Sequence, residues 1–146
     1  DIFKLVQLED ESARNNYMKQ FAKLAGKASK IFVDDKANDE YIESDVNFRK
    51  IYTMNLLTFH YYANDCFLES GQILRDIGKI PNIPVTLVHG RYDVITPPSE
   101  AYKLHKKIPG SKLNIVEEAG HSMFEKPIVK ELVKAMKELE TLSAKI

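Results

Sequence analysis

A single cysteine, Cys66, and no tryptophan occur among the 146 residues. One thiol excludes an internal disulfide and any metal site built from several cysteines, and a reducing cytoplasm is the expected setting. Charge of neither sign is in excess, since 21 basic side chains balance 21 acidic ones. Without a long-range positive field, nucleic acid and anionic membranes are not expected partners, and small neutral or zwitterionic ones fit better. No apolar run approaches the ~20 residues that span a bilayer, and the N-terminus lacks the basic-then-apolar layout of a signal peptide. Glycine is scarce too: the six stand at positions 26, 71, 78, 90, 110 and 120, and no two bracket a serine four positions apart. The chain therefore has no Gly-x-Ser-x-Gly turn to expose a nucleophilic serine, and no Gly-rich oxyanion loop.

What is present suffices for one compact domain, with 44% hydrophobic residues. Asp1 stands where an initiator Met would, so the chain is expected to start at a processed or interior boundary of something longer. The pattern changes near Pro81 and Pro84. Before it, Asp10 or Ser12 is placed to cap a helix with Ala13, Tyr17, Phe21, Leu24 and Ala28 on its apolar face, followed by a charged loop from Asp34 to Glu40. Ser44 is placed to cap a longer helix with Ile51, Met54, Leu57 and Tyr61 at helical spacing, and a short helix over about Gly71 to Ile77 follows.

After the prolines, strand and helix alternate. Pro84 to His89 forms a β-branched run ended by Gly90, as a buried parallel strand does. Pro97 and Pro98 delay the next helix until Ser99, from which it runs to about Lys107. Pro109-Gly110 turns the chain into a second strand, Lys112 to Val116, ended at Ala119-Gly120. A last helix from near Pro127 puts Ile128, Leu132, Met136 and Leu139 on one face. This is the grammar of a parallel α/β sheet. Two strands cannot make a stable sheet unaided, so further strands or another copy must cover them, and self-association is expected of the chain alone.

In open α/β sheets functional groups collect beyond the carboxyl ends of the strands. Asp93 follows the first strand in Gly90-Arg91-Tyr92-Asp93, and His121 follows the second in Ala119-Gly120-His121-Ser122. Adjacent parallel strands would bring them within one hydrogen bond. A serine needs a base to take its proton, and the base works best when a carboxylate fixes its tautomer. Asp then His along the chain is the order of the last two triad members in α/β-hydrolases. The fold class expected is accordingly α/β: the C-terminal part of an α/β-hydrolase, two parallel strands with flanking helices, carrying the acid and base without the nucleophile and inactive alone. Other residues read more plainly. His89 should pack or hydrogen-bond at the strand end, His105 should lie on a solvated helix face, Cys66 should be a small buried hydrophobe, and Ser122 follows no elbow and is no nucleophile.

The stretch His60-Tyr61-Tyr62-Ala63-Asn64, then Phe67 through Asp76, Ile83-Pro84, Val88 through Asp93 and Glu118-Ala119-Gly120-His121-Ser122 resembles the C-terminal part of proline iminopeptidases. The resemblance implies a hydrolase core, here 81–146, and a helical cap inserted before it, here 1–80. It implies an enzyme that removes N-terminal proline from peptides through a serine acyl-enzyme, without metal or cofactor, using cap carboxylates to hold the substrate's free amine. The partners implied are a peptide substrate and the N-terminal half of the parent, which carries the serine. The chain departs from the family in its cap: the Trp-rich segment ending in Glu is absent, and Thr58-Phe59 replaces Glu-Asn before His60. Glu40, Glu43 and Glu69 are the alternative amine contacts, with His60 and Tyr61 as neighbouring substrate contacts. A related esterase or amide hydrolase, and a non-catalytic interaction module on the same fold, remain open as readings.

Overall fold

The structure, a computed structural model, describes residues 9–143. The first eight residues of the expected cap lie outside them. Two compact units divide the chain: one runs through Lys27 and then takes Phe32–Ser70, while the other takes Ala28–Ile31 and the chain from Gly71 on. Residues 71–80, assigned from sequence to the cap, thus fall with the strands.

The first unit is helical: α1 (Glu11–Ala28), α2 (Asp35–Glu43) and α3 (Asp45–Ala63), then a 3-10 turn at Asp65–Phe67. Asp10 caps α1, its carboxylate accepting from the amides of Ser12 and Ala13. Met18 and Ala22 are the buried residues of α1, and Leu24, expected inside, is exposed. Met18 and Phe59 form the core with Tyr17, Phe21, Phe48 and Tyr52 around them, and the rings of Phe21 and Phe59 meet edge to face at 4.7 Å. Of the face expected for α3, Met54, Leu57 and Tyr61 are exposed. That helix has apolar residues on several sides, and the side chosen, Phe48, Tyr52 and Phe59, is fixed by what α1 presents.

The charged stretch expected as a loop is the helix α2. Asp34 caps it by accepting from the Ala37 amide, and Ile42 is buried. Three of its acids, Asp35, Asp39 and Glu43, recur every fourth residue, and so do three lysines of α1, which puts each set on one stripe of its helix. The stripes meet: Lys19 and Lys23 each reach Glu43 at 2.7 Å, and Lys27 reaches Asp35 at 3.5 Å. Cys66 is exposed rather than buried. It stands in a run of three positive-φ residues, Asp65, Cys66 and Phe67, that turns the chain sharply after α3 and leaves the thiol outside.

The second unit contains α4 (Gln72–Asp76), a 3-10 turn at Ile77–Lys79, β1 (Thr86–Gly90), α5 (Pro98–Lys107), β2 (Lys112–Val116) and α6 (Lys126–Ser143). The strands pair in parallel, Thr86 with Lys112 through Gly90 with Val116. Pro98, not Ser99, opens α5: proline has no amide to leave unbonded at a first helical position, and Pro97 takes the cap. His105 is not a free solvated residue, for its Nδ1 lies 2.9 Å from Ser111 Oγ where α5 ends. The core joins Val116, Ala119 and Ile128 to Val88 and Leu132. Ile128 and Leu132 of the face expected for α6 pack into this core, and Ala135 is buried on the same side while Met136 is exposed.

Candidate active site

The paired strands end level, Gly90 opposite Val116, so the loops that follow leave from one sheet edge. They bond to each other at once. The Arg91 amide donates to Val116 O and the Tyr92 amide to Ala119 O, both at 2.9 Å. Between these loops Gly90 leaves no room for a side chain: a Cβ there would overlap Gly120 O and stand 2.6 Å from Ala119 O. On the exposed side Arg91 forms a two-pronged pair with Glu117, which in solvent adds little energy but keeps the loops in register.

Asp93 is the buried charged residue among those described, 6% exposed. Its Oδ1 accepts from the amides of Ile95 at 3.0 Å and Thr96 at 2.8 Å, a turn in which the side chain stands in for backbone. Oδ2 accepts from the Thr96 hydroxyl at 2.8 Å and faces His121 Nδ1 at 2.9 Å. Burial pushes the Asp93 pKa up, but the Thr96 amide, His121 and the Thr96 hydroxyl together outweigh it and hold the carboxyl below its ordinary value. The His121 ring is exposed, and with Nδ1 turned to Asp93 its Nε2 lies on the opposite ring edge. A carboxylate that accepts from Nδ1–H fixes the tautomer whose bare Nε2 can take a proton.

The lowered pKa has a consequence for stability. Folding favours ionised Asp93, so its contribution is complete above the unfolded carboxyl pKa and is lost as the pH falls through the lower folded value. Urea titrations from neutral to strongly acidic pH are expected to show a steeper acid loss for the natural chain than for Asp93→Asn. Parallel curves would show that the carboxyl is not stabilised as described.

Thr96 and Glu125 were not singled out in the sequence. For Thr96 a signal existed: an Asp three residues before a Thr is the pattern of a side-chain-capped turn. His89 bonds at the strand end as expected, Nε2 donating to Thr96 O at 2.8 Å, and the same nitrogen stands 3.3 Å from Asp93 Oδ2. Ser122 Oγ accepts from the Phe124 amide, a turn contact. The residues named for substrate lie in the helical unit. There His60, Tyr61 and Phe67 form an aromatic cluster with ring centroids 5.5 to 6.1 Å apart, and Glu69 is exposed. Among the described residues no group of three or more His, Cys, Asp or Glu is placed to hold a metal ion, and no helix is long and apolar enough to cross a membrane.

A parallel strand pair with an acid and a histidine at its carboxyl edge belongs to a familiar class of sheet, and comparison with known proteins defines it. The sequence profile of the alpha/beta hydrolase fold matches residues 10–127, and the chain belongs to that family. Within it, the similarity is to proline iminopeptidases. A probable proline iminopeptidase from Leptolyngbya boryana is 32% identical over 134 residues, 91% of this chain and 40% of the relative. The proline iminopeptidase of Xylella fastidiosa (strain 9a5c) is 37% identical over 126 residues, 86% of this chain and 39% of the relative. The chain thus spans about two fifths of the length of these curated relatives. An esterase from Exiguobacterium antarcticum superposes with a TM-score of 0.48 at 21% identity, over 98% of this chain and 46% of the esterase.

Proposed function

We propose that the chain supplies the orienting acid, Asp93, and the general base, His121, of a serine hydrolase of the proline iminopeptidase type, which releases N-terminal proline from peptides. The observation that carries the reading is the 2.9 Å contact between His121 Nδ1 and the buried Asp93 carboxylate, in a chain whose curated relatives are named for that activity. The nucleophile comes from polypeptide outside this sequence, which has no Gly-x-Ser-x-Gly. The chain by itself is therefore inactive. In the whole protein the serine oxygen attacks the prolyl carbonyl while its proton passes to His121 Nε2. The same proton then goes to the departing amine as the C–N bond breaks. Water enters by the same base and frees proline.

A related esterase or amide hydrolase is the second reading, and a specific observation favours it. Recognition of a free amine needs an accessible carboxylate, yet Glu43 is occupied by Lys19 and Lys23, whose hydrogen bonds hold its pKa at about 2. Glu40 stands 3.7 Å from Lys36. Glu69 is the third acid named for this role. Whole protein should be assayed on a prolyl arylamide, its N-blocked counterpart and simple acyl esters, beside labelling with a fluorophosphonate. Turnover of the free-amine arylamide alone is the expected result. Ester turnover without arylamide turnover moves the case to the second reading, and absence of labelling removes both.

A further inference from the structure

His121 sits between two residues whose amides are both tied down, and neither tie comes from the sheet. The Gly120 amide donates to Glu125 Oε1 at 2.7 Å, and the Ser122 amide donates to Ser29 O at 2.7 Å. The other Glu125 oxygen, Oε2, accepts from the Ile31 amide at 3.1 Å. A closed ring results: one carboxylate bridges the residue before the histidine to the segment 28–31, and that segment returns a carbonyl to the residue after it. The packing inside the ring is close. A Cβ on buried Gly120 would stand 3.2 Å from Ser29 O and 3.3 Å from Glu125 Oε1.

Glu125 also immediately precedes α6. Its carbonyl accepts from the Val129 amide at 3.0 Å and its amide donates to Ser122 O at 3.1 Å. A carboxylate at a helix start is favoured by the dipole in any protein, so helix capping alone would account for an acid here. It does not account for where the two oxygens go. Both accept from backbone amides outside α6, one beside His121 and one in a segment 94 residues earlier in the chain.

We propose that Glu125 is a positioning residue for His121, clamping the histidine loop to the 28–31 segment so that the imidazole stays on Asp93. The proposal rests on the reading of His121 as general base. A loop released at Gly120 still carries its histidine but lets the ring drift from the carboxylate, and a misplacement of about 1 Å is enough to cost roughly 10²-fold in turnover.

The test uses the full polypeptide with 15N-labelled histidine. Glu125→Gln keeps the shape and one acceptor but turns an amide toward the second N–H, while Glu125→Ala removes the bridge. In Glu125→Ala the low-field Nδ1 proton of His121 should disappear or exchange rapidly, and kcat should fall by roughly 10²-fold with KM within about twofold, because a positioning group acts on the reacting state and not on binding. Glu125→Gln should recover part of both, with unchanged helical circular dichroism. A persistent Nδ1 proton with undiminished kcat in Glu125→Ala overturns the proposal. So does a loss of the proton matched by an equal loss of helix in both variants, which is what capping alone predicts. If the natural protein hydrolyses nothing yet its Nδ1 proton still depends on Glu125, the clamp stands and the catalytic reading of His121 falls.

Discussion

With Asp93 as the proposed orienting acid, its replacement by asparagine is expected to lower kcat of the whole protein by about 10⁴-fold, the scale on which a triad base fails when held in the wrong tautomer. The hydrogen bonds around Asp93 dictate how the amide must sit. Oδ1 accepts two backbone amides, from Ile95 and Thr96, so the carbonyl oxygen of an asparagine stays there. Its NH2 is then forced into the place of Oδ2, 2.9 Å from His121 Nδ1. A donor at that distance selects the imidazole with a bare Nδ1 and a protonated Nε2, which cannot take a proton from serine. The Thr96 hydroxyl, which donates to Oδ2 in the natural chain, can rotate to accept instead, so the fold should persist. Single-turnover kinetics together with the 15N shifts of His121 check both halves. A loss below tenfold, or an unchanged tautomer, would remove Asp93 from its assigned role.

How much of this was legible beforehand depends on whether the information is local. The strand Lys112–Val116 and the start of the loops that follow the strands were readable because β-branched runs punctuated by glycine constrain the backbone where they stand. The adjacency of Asp93 and His121 followed from the parallel crossover alone. What failed was information held by a second element. The stretch from Asp35 looks like a loop when scored for apolar content, with Ile42 its one buried residue. It is helical because three of its acids, at four-residue intervals, face lysines at the same interval on α1. Likewise α3 offers Met54 and Leu57 at helical spacing as plainly as it offers Phe48 and Phe59, and only the neighbouring helix decides between them. Glu125 was unreadable for the same reason. Nothing beside it in the sequence announces that the Ile31 amide will arrive at its carboxylate.

The same dependence on a distant partner makes Gly90 the most sensitive backbone position near the site. The obstacle to a side chain there is backbone on every side: the carbonyl of Gly120, and the carbonyl oxygen and carbon of Ala119 at 2.6 and 2.8 Å. None can rotate away as a flexible side chain would. A methyl group would have to push the histidine loop off the end of β1 and break the hydrogen bonds that the Arg91 and Tyr92 amides donate across the two loops. Gly90→Ala is therefore expected to destabilise the protein by about 4 to 5 kcal/mol, the upper end of single-residue effects. Gly78→Ala is the matched control, because a Cβ there meets nothing within 4 Å and the backbone is not left-handed. Its effect should be a gain of about 0.4 to 1 kcal/mol from the reduced freedom of the unfolded chain. Urea unfolding of the two variants beside the natural chain measures the contrast directly. Equal stability of the two would mean that the strand end and the histidine loop do not approach as closely as described, and the contact between Asp93 and His121, which depends on that approach, would lose its support.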